Sequence, residues 1–134
     1  MYAVCLCGLA NNRDIKPENI LIDDEHRLKL CDFGFARTLP QNGENMTDYV
    51  ATRWYRPPEL VLGFKQYDGT VDVWAMACIL GELLDGQPLF PGENDVDQLH
   101  IIQSCCGRMT RDQLRRFFTD KRYNNYYGHA NITW

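Results

Sequence analysis

Long apolar runs are absent from this chain. None approaches the ~20 consecutive residues needed to cross a bilayer, so no membrane partner is expected. Excess positive charge is absent too: the net charge of −4 argues against a general nucleic-acid binder, which is usually basic. Residues 1–9 are apolar but lack the basic start of a signal peptide. The expectation is therefore an intracellular chain, cytoplasmic or nuclear. Six cysteines are present, yet Cys5-x-Cys7 and the Cys105-Cys106 pair lack the paired spacing of a zinc site, and His26, His100 and His129 are scattered. Cys78 lies in an apolar helical run and Cys31 ends a strand-like one, as small buried hydrophobes do in a reducing compartment. No internal repeat or low-complexity linker interrupts the chain.

What is present fits one domain. The length of 134 residues allows a single core, and 45% hydrophobic with 24% charged residues is ordinary for a soluble globular chain. Two short apolar runs, 19–22 and 28–31, flank the polar stretch Asp23-Asp24-Glu25-His26-Arg27 and predict a small hairpin. Residues 38–49 are polar, with Asn42, Gly43 and Asn45, as in a mobile loop. A helix is expected over 70–84. Val73, Ala77, Leu80 and Leu84 form one apolar stripe and Val71, Trp74 and Cys78 another, so it reads as a helix buried nearly all round. A second helix is expected over 95–105, with Val96, Leu99 and Ile102 on one side. Thr110 and Gln113 form a capping-box pattern opening a short helix to Phe118. From Lys121 onward the chain reads as irregular. Arg111, Arg115, Arg116, Lys121 and Arg122 read as a solvated basic face, with a docking groove as the alternative. Tyr123, Tyr126, Tyr127 and Trp134 read either as a partner surface or as exposed apolar ends.

The chemistry is concentrated upstream. Asp14 is followed five places later by Asn19, and Asp32-Phe33-Gly34 begins thirteen residues after that. Phosphoryl transfer from ATP asks for few protein groups: a carboxylate facing the acceptor hydroxyl, oxygen ligands for magnesium and a cation near the moving phosphate. Asp14 and Lys16 supply the first and third; Asn19 and Asp32 supply hard oxygens for Mg2+. The predicted hairpin would set Asn19 just before one strand and Asp32 just after the other, so that both could face one ion.

At these residues the chain resembles a eukaryotic protein kinase. Pro57-Pro58-Glu59 would close an activation segment that opens at Asp32. Val50-Ala51-Thr52-Arg53-Trp54-Tyr55-Arg56 resembles the branch holding cyclin-dependent and mitogen-activated kinases. Cys31-Asp32-Phe33-Gly34-Phe35-Ala36-Arg37 and Asp85-Gly86-Gln87-Pro88-Leu89-Phe90-Pro91-Gly92 look most like the cyclin-dependent kinase-like family. The resemblance implies a partial protein-kinase-like fold: a mainly α C-terminal lobe with a small β-hairpin carrying the catalytic loop and Asp-Phe-Gly segment. Its parts would be a catalytic loop at 12–19, an activation segment at 32–59 and large-lobe helices at about 70–118, with an aspartate like Asp72 bracing the catalytic loop. It implies ATP and Mg2+ as cofactors, protein Ser/Thr side chains as acceptors and an upstream activating kinase as a partner. Catalytic roles would fall to Asp14 as base, Lys16 beside the transferring phosphate, Asn19 and Asp32 at the metal, and Thr52 near Asp14 and Lys16. Thr47-Asp48-Tyr49 resembles a Thr-x-Tyr activation motif. Arg13 and Arg37 would receive phospho-Thr47, and Arg53 and Arg56 would receive phospho-Tyr49.

Departures from the family pattern bear on activity. Asn12 stands where the family has His under the Phe of the Asp-Phe-Gly triplet, which leaves Phe33 less firmly supported. No G-x-G-x-x-G and no Val-Ala-Ile-Lys-like strand occurs, so the N-terminal lobe is expected to be absent, as are the final C-lobe helices, and the isolated chain is expected to turn over little. Two readings follow: a Ser/Thr protein kinase present as a truncated chain, or a catalytically silent kinase-derived module that binds partners.

Overall fold

The computed structural model describes residue 12, residues 14–34 and residues 53–126, with side chains to residue 123. It is mostly helical and carries one two-stranded sheet. Strands β1 (Ile20–Ile22) and β2 (Leu28–Leu30) pair antiparallel, with Ile20 opposite Leu30 and Ile22 opposite Leu28. Asp23 organises the connection. Its carboxylate accepts the backbone N–H of Glu25 at 3.0 Å and of Arg27 at 2.9 Å, and meets Arg27 Nε at 2.8 Å and Lys29 Nζ at 3.2 Å. These bonds, the Arg27 backbone N–H first, hold the Asp23 carboxyl below its ordinary pKa.

Four helices follow: α1 (Pro58–Val61), α2 (Thr70–Asp85), α3 (Asp95–Cys106) and α4 (Arg111–Thr119). Several boundaries have a local cause. Asp68 accepts from Thr70 N at 2.9 Å and from Thr70 Oγ1 at 2.6 Å at the start of α2, which stops where Gly86 takes φ 76°. Asn94 caps α3 by accepting from Val96 N and Asp97 N. The capping box opening α4 is formed: Gln113 N donates to Thr110 Oγ1 at 3.3 Å and Thr110 N to Gln113 Oε1 at 2.8 Å.

Two apolar clusters share α3. Ile102 joins Ile15, Tyr55, Cys78, Ile79 and Phe90 in the first. Val96 and Leu99 join Val61, Leu62, Phe117 and Tyr123 in the second. No helix among the described residues is long and apolar enough to cross a membrane.

Four expectations need correction. Helix α2 is not buried all round: Val71, Ala75, Cys78 and Ile79 face the core, while Val73, Met76, Leu80, Leu83 and Leu84 are exposed. Apolarity on both faces of a helix states a capacity for burial; here the described elements pack against one face alone. Lys121–Tyr126 is a 3-10 turn rather than irregular chain. Tyr123, in that turn, belongs to the core and to neither of the surfaces considered for it. It stacks on Phe117 with ring centroids 4.6 Å apart, and its hydroxyl donates to Val61 O at 2.8 Å. The basic cluster is also only partly a solvated face, because Arg116 donates to the carbonyls of Leu62 and Gly63, and Arg122 pairs with Asp120.

Candidate functional site

The loop between Asn12 and β1 alternates its side chains. Ile15 is buried in the first apolar cluster and, with Asp14 and Lys16, lines a cavity shared with Tyr55, Arg56, Pro57 and Asp72. Pro17 opens the 3-10 turn Pro17–Asn19, a position where its missing N–H is no loss, and Asn19 N closes the turn on Lys16 O at 3.0 Å.

Three sequence-predicted residues meet directly. Lys16 Nζ lies 2.8 Å from Asp14 Oδ2, with both side chains 15% exposed. Asn19 Nδ2 donates to the same oxygen at 3.1 Å and to the Asp14 carbonyl at 2.9 Å. The Asp14 carboxylate is thus held by a cation and an amide at once, which restricts its rotation. Because the Asn19 nitrogen is engaged, the oxygen is the end of that amide suited to a further electrophile.

Asp32 is exposed and follows β2. Its backbone takes φ 57°, in the left-handed region that aspartate tolerates better than most residues, and its Oδ1 accepts from Gly34 N at 3.2 Å. Cys31 N donates to Asn19 O at 2.9 Å, so the residue preceding Asp32 is bonded to the residue preceding β1. Phe33 is 42% exposed. Asn12 is buried and its backbone N–H donates to Asp72 Oδ2 at 2.8 Å, a brace from α2 to the loop. The Asn12 side-chain amide has no hydrogen-bond partner among the described residues.

Arg53 sits in the 3-10 turn Arg53–Tyr55, with Nε 3.2 Å from Asp95 Oδ1 and Nη1 donating to Glu93 O at 2.8 Å. Arg56 lines the cavity. Arg13, Arg37, Thr47, Tyr49 and Thr52 lie outside the described residues.

The anchors of the 53–55 turn escaped the sequence reading. Trp54 Nε1 donates to Gly92 O at 3.0 Å, and Tyr55 Oη donates to Glu82 Oε2 at 2.6 Å. Burial, then the Glu82 bond, raises the Tyr55 phenol above the ordinary tyrosine range. These pairs lie 38 and 27 residues apart and leave no periodic trace in the sequence.

Comparison with known proteins places the chain in a family. The family described as protein kinase domain matches residues 11–125. The chain is 56% identical over 114 residues to cyclin-dependent kinase-like 5 of Homo sapiens, covering 84% of this chain and 12% of that protein. It is 61% identical over 107 residues to cyclin-dependent kinase-like 2 of Rattus norvegicus, covering 80% and 21%. With cyclin-dependent kinase-like 4 of Homo sapiens the identity is 53% over 111 residues, covering 81% and 29%. The chain thus spans between 12% and 29% of the length of these relatives. The chain belongs to the protein kinase family, alongside the cyclin-dependent kinase-like proteins.

Proposed function

We propose that this chain carries the phosphoryl-transfer half of a serine/threonine protein kinase of the cyclin-dependent kinase-like type, with ATP and Mg2+ as cofactors and proteins as substrates. The observation that carries the reading is the shared oxygen: Asp14 Oδ2 takes Lys16 Nζ at 2.8 Å and Asn19 Nδ2 at 3.1 Å. That clamp gives Asp14 one orientation, with the other carboxylate oxygen left to accept the proton of a Ser or Thr hydroxyl. Lys16 has a cationic end 2.8 Å from the base, close enough to hold a phosphoryl oxygen beside the acceptor. Thr52 takes the neighbouring positioning role.

The oxygen donors fit magnesium. No group of three or more His, Cys, Asp or Glu among the described residues could hold a metal ion, and magnesium asks for less, since one or two carboxylates with phosphates and waters complete its shell. Asn19 Oδ1 and the Asp32 carboxylate would be the protein ligands. An ion held there would supply positive charge to offset the charge developing on the transferring phosphate. The chain's own part is to hold Asn19 and Asp32 at the same open end of the hairpin, with Asp14 clamped beside Asn19.

Regulation belongs to the same reading. Thr47 and Tyr49 are the phosphosites, Arg13 and Arg37 the partners of the first, and Arg53 and Arg56 those of the second. Because Arg53 already holds Asp95, an incoming phosphate would exchange one carboxylate contact for a dianion.

Incubating the chain with Mg2+ and γ-labelled ATP and a Ser/Thr acceptor protein tests the base. Incorporated label, low as expected for this chain alone, should fall by a further hundredfold or so in Asp14→Asn, in line with a general base. Manganese with ATP should broaden the amide resonances of Asn19 and Asp32 selectively, and Asp32→Ala should abolish the effect. Incorporation indifferent to Asp14, or broadening indifferent to Asp32, would refute the assignment.

A further inference from the structure

Helix α4 carries a face that neither apolar cluster uses. Phe117 is buried and Gln113 and Leu114 are half-buried, so these three turn inward. Arg111, Arg115 and Phe118 are exposed, and their spacing of four and then three residues sets them along one outward stripe. Phe118 meets Phe117 edge-on at 5.8 Å and remains 45% exposed at the far end of that stripe.

The basic residues here divide into two kinds. Arg116 and Arg122 are engaged by the Leu62 and Gly63 carbonyls and by Asp120. Arg111 and Arg115 form no ion pair with an acid among the described residues, and Asp112, the one acid of α4, pairs with neither. Like charges four apart on a helix repel. Residues 108–122 hold six basic residues against two acidic ones, a net +4 in a chain whose total is −4. A solvated helix face ordinarily mixes its signs, whereas arginine beside an open aromatic ring is the composition of a contact surface.

We propose that Arg111, Arg115 and Phe118 form a docking surface for an acidic, extended segment of a protein partner. The segment carries two carboxylates two residues apart and an aliphatic side chain two residues further. Along the helix axis the two arginines stand about 6 Å apart and Phe118 about 4.5 Å beyond. In an extended peptide, alternate side chains point the same way at intervals of about 6.6 Å. Two acids at that interval meet both guanidinium groups, each a planar donor fork suited to a carboxylate, and the next side chain on that edge reaches the ring. A short segment meets the stripe alone. An anionic bilayer or a nucleic acid would also face the rest of the chain, whose charge is negative and repels it.

The surface is independent of the kinase reading, since none of its three residues lines the cavity of Asp14 and Lys16. Titrating the full chain with the peptide GESESLG, without ATP and followed by amide resonances, is the test. The resonances of Arg111, Arg115 and Phe118 should shift saturably, with a Kd of about 1 mM or tighter. Arg115→Glu should weaken binding by about tenfold or more, because a like charge then faces the peptide. Lys29→Glu makes the same charge change on the hairpin and should alter binding by less than about twofold, its distance from α4 being screened. The peptide GQSQSLG needs no protein variant and should give no saturable shift. Absence of a saturable shift with GESESLG, an equal loss from the Lys29 variant, or equal binding of GQSQSLG overturns the docking surface. Co-sedimentation with vesicles of phosphatidylcholine and phosphatidylserine in place of peptide binding overturns it in favour of a membrane.

Discussion

The loop and hairpin of residues 14–34 and the helical body of residues 53–126 are stabilised by different forces. In the first, the bonds are polar and local: Asp14, Lys16 and Asn19 lie within six positions, and Leu21, Ile22 and Leu28 are left exposed. In the second, contacts reach across the chain, as from Tyr123 to Val61, 62 residues away, around two apolar clusters. The loop touches the body at a few points, chiefly Ile15 in the first cluster and the Asn12 brace on Asp72. Chemistry and stability are therefore separable. Substitutions in the buried clusters of the body should destabilise the chain, whereas those at Asp14, Lys16 or Asn19 should leave it folded.

The largest effect should come from Phe117→Ala. The ring is 2% exposed, stacks on Tyr123 and meets Phe118 edge-on, so truncation removes buried area and leaves a cavity. A loss of ~4 kcal/mol is expected, read as a fall in the urea midpoint. The matching change in the hairpin, Leu28→Ala at 70% exposure, should move the midpoint by no more than ~0.5 kcal/mol. Equal losses would break the division between the two regions.

Gly92→Ala comes next. A Cβ there would stand 2.5 Å from Gln98 Oε1 and 2.6 Å from Gln98 Cα, and Gln98 is wholly buried with that oxygen accepting Gly92 N. Backbone cannot retreat as a side-chain end can, and roughly 2 kcal/mol should be lost. The Gly92 carbonyl also receives Trp54, so the 53–55 turn should loosen and Trp54 fluorescence should shift with the midpoint.

Alkaline titration sharpens the comparison, because the strongly raised groups all lie in the body. Burial, more than any nearby charge, raises Tyr123 to about 12 from 10.0, so the folded state keeps its proton longer than the unfolded chain. Its stabilising share is complete below pH 10 and falls as pH climbs toward 12. Tyr123→Phe should cost about 1 kcal/mol at neutral pH by losing the bond to Val61. It should also flatten the alkaline decline of the midpoint. An unchanged decline would remove Tyr123 from the account.

Asn12→Leu should have the opposite sign. Both polar atoms of this buried amide lack partners among the described residues, and an apolar side chain of similar size removes that penalty while keeping the backbone bond to Asp72. A gain of about 1 kcal/mol is expected, with a higher thermal midpoint. A loss would mean that the amide is satisfied by some other group.

Local patterns were legible in the sequence and long-range ones were not. The hairpin, the α3 stripe of Val96, Leu99 and Ile102, and the Thr110–Gln113 box each lie within one or two turns of chain, where periodicity and capping chemistry act. The Asp14–Lys16–Asn19 contact is likewise short in sequence, and the resemblance supplied its meaning. Tyr55–Glu82, Trp54–Gly92 and Arg53–Asp95 are set by how α2 and α3 pack, which no window of residues encodes. Tyr123 was misread for the same reason: its partner Phe117 is near, but the carbonyl that accepts its hydroxyl belongs to α1.

Helix α2 shows the limit of reading burial from composition, and it supplies the smallest expected effect. Leu84 is 83% exposed and Leu80 60% exposed, whereas Ile79 on the opposite face is 8% exposed. A leucine already in water gains nothing from the transfer that drives folding, and glutamine matches leucine closely in helix propensity. Leu84→Gln and Leu80→Gln should therefore each shift stability by no more than about 0.5 kcal/mol, while Ile79→Ala should lose ~3 kcal/mol. Urea midpoints of the three variants decide the matter. A loss from Leu80→Gln as large as that from Ile79→Ala would mean that the outer face of α2 is covered in solution, and that the expectation of a helix buried on all sides was right about the folded chain after all.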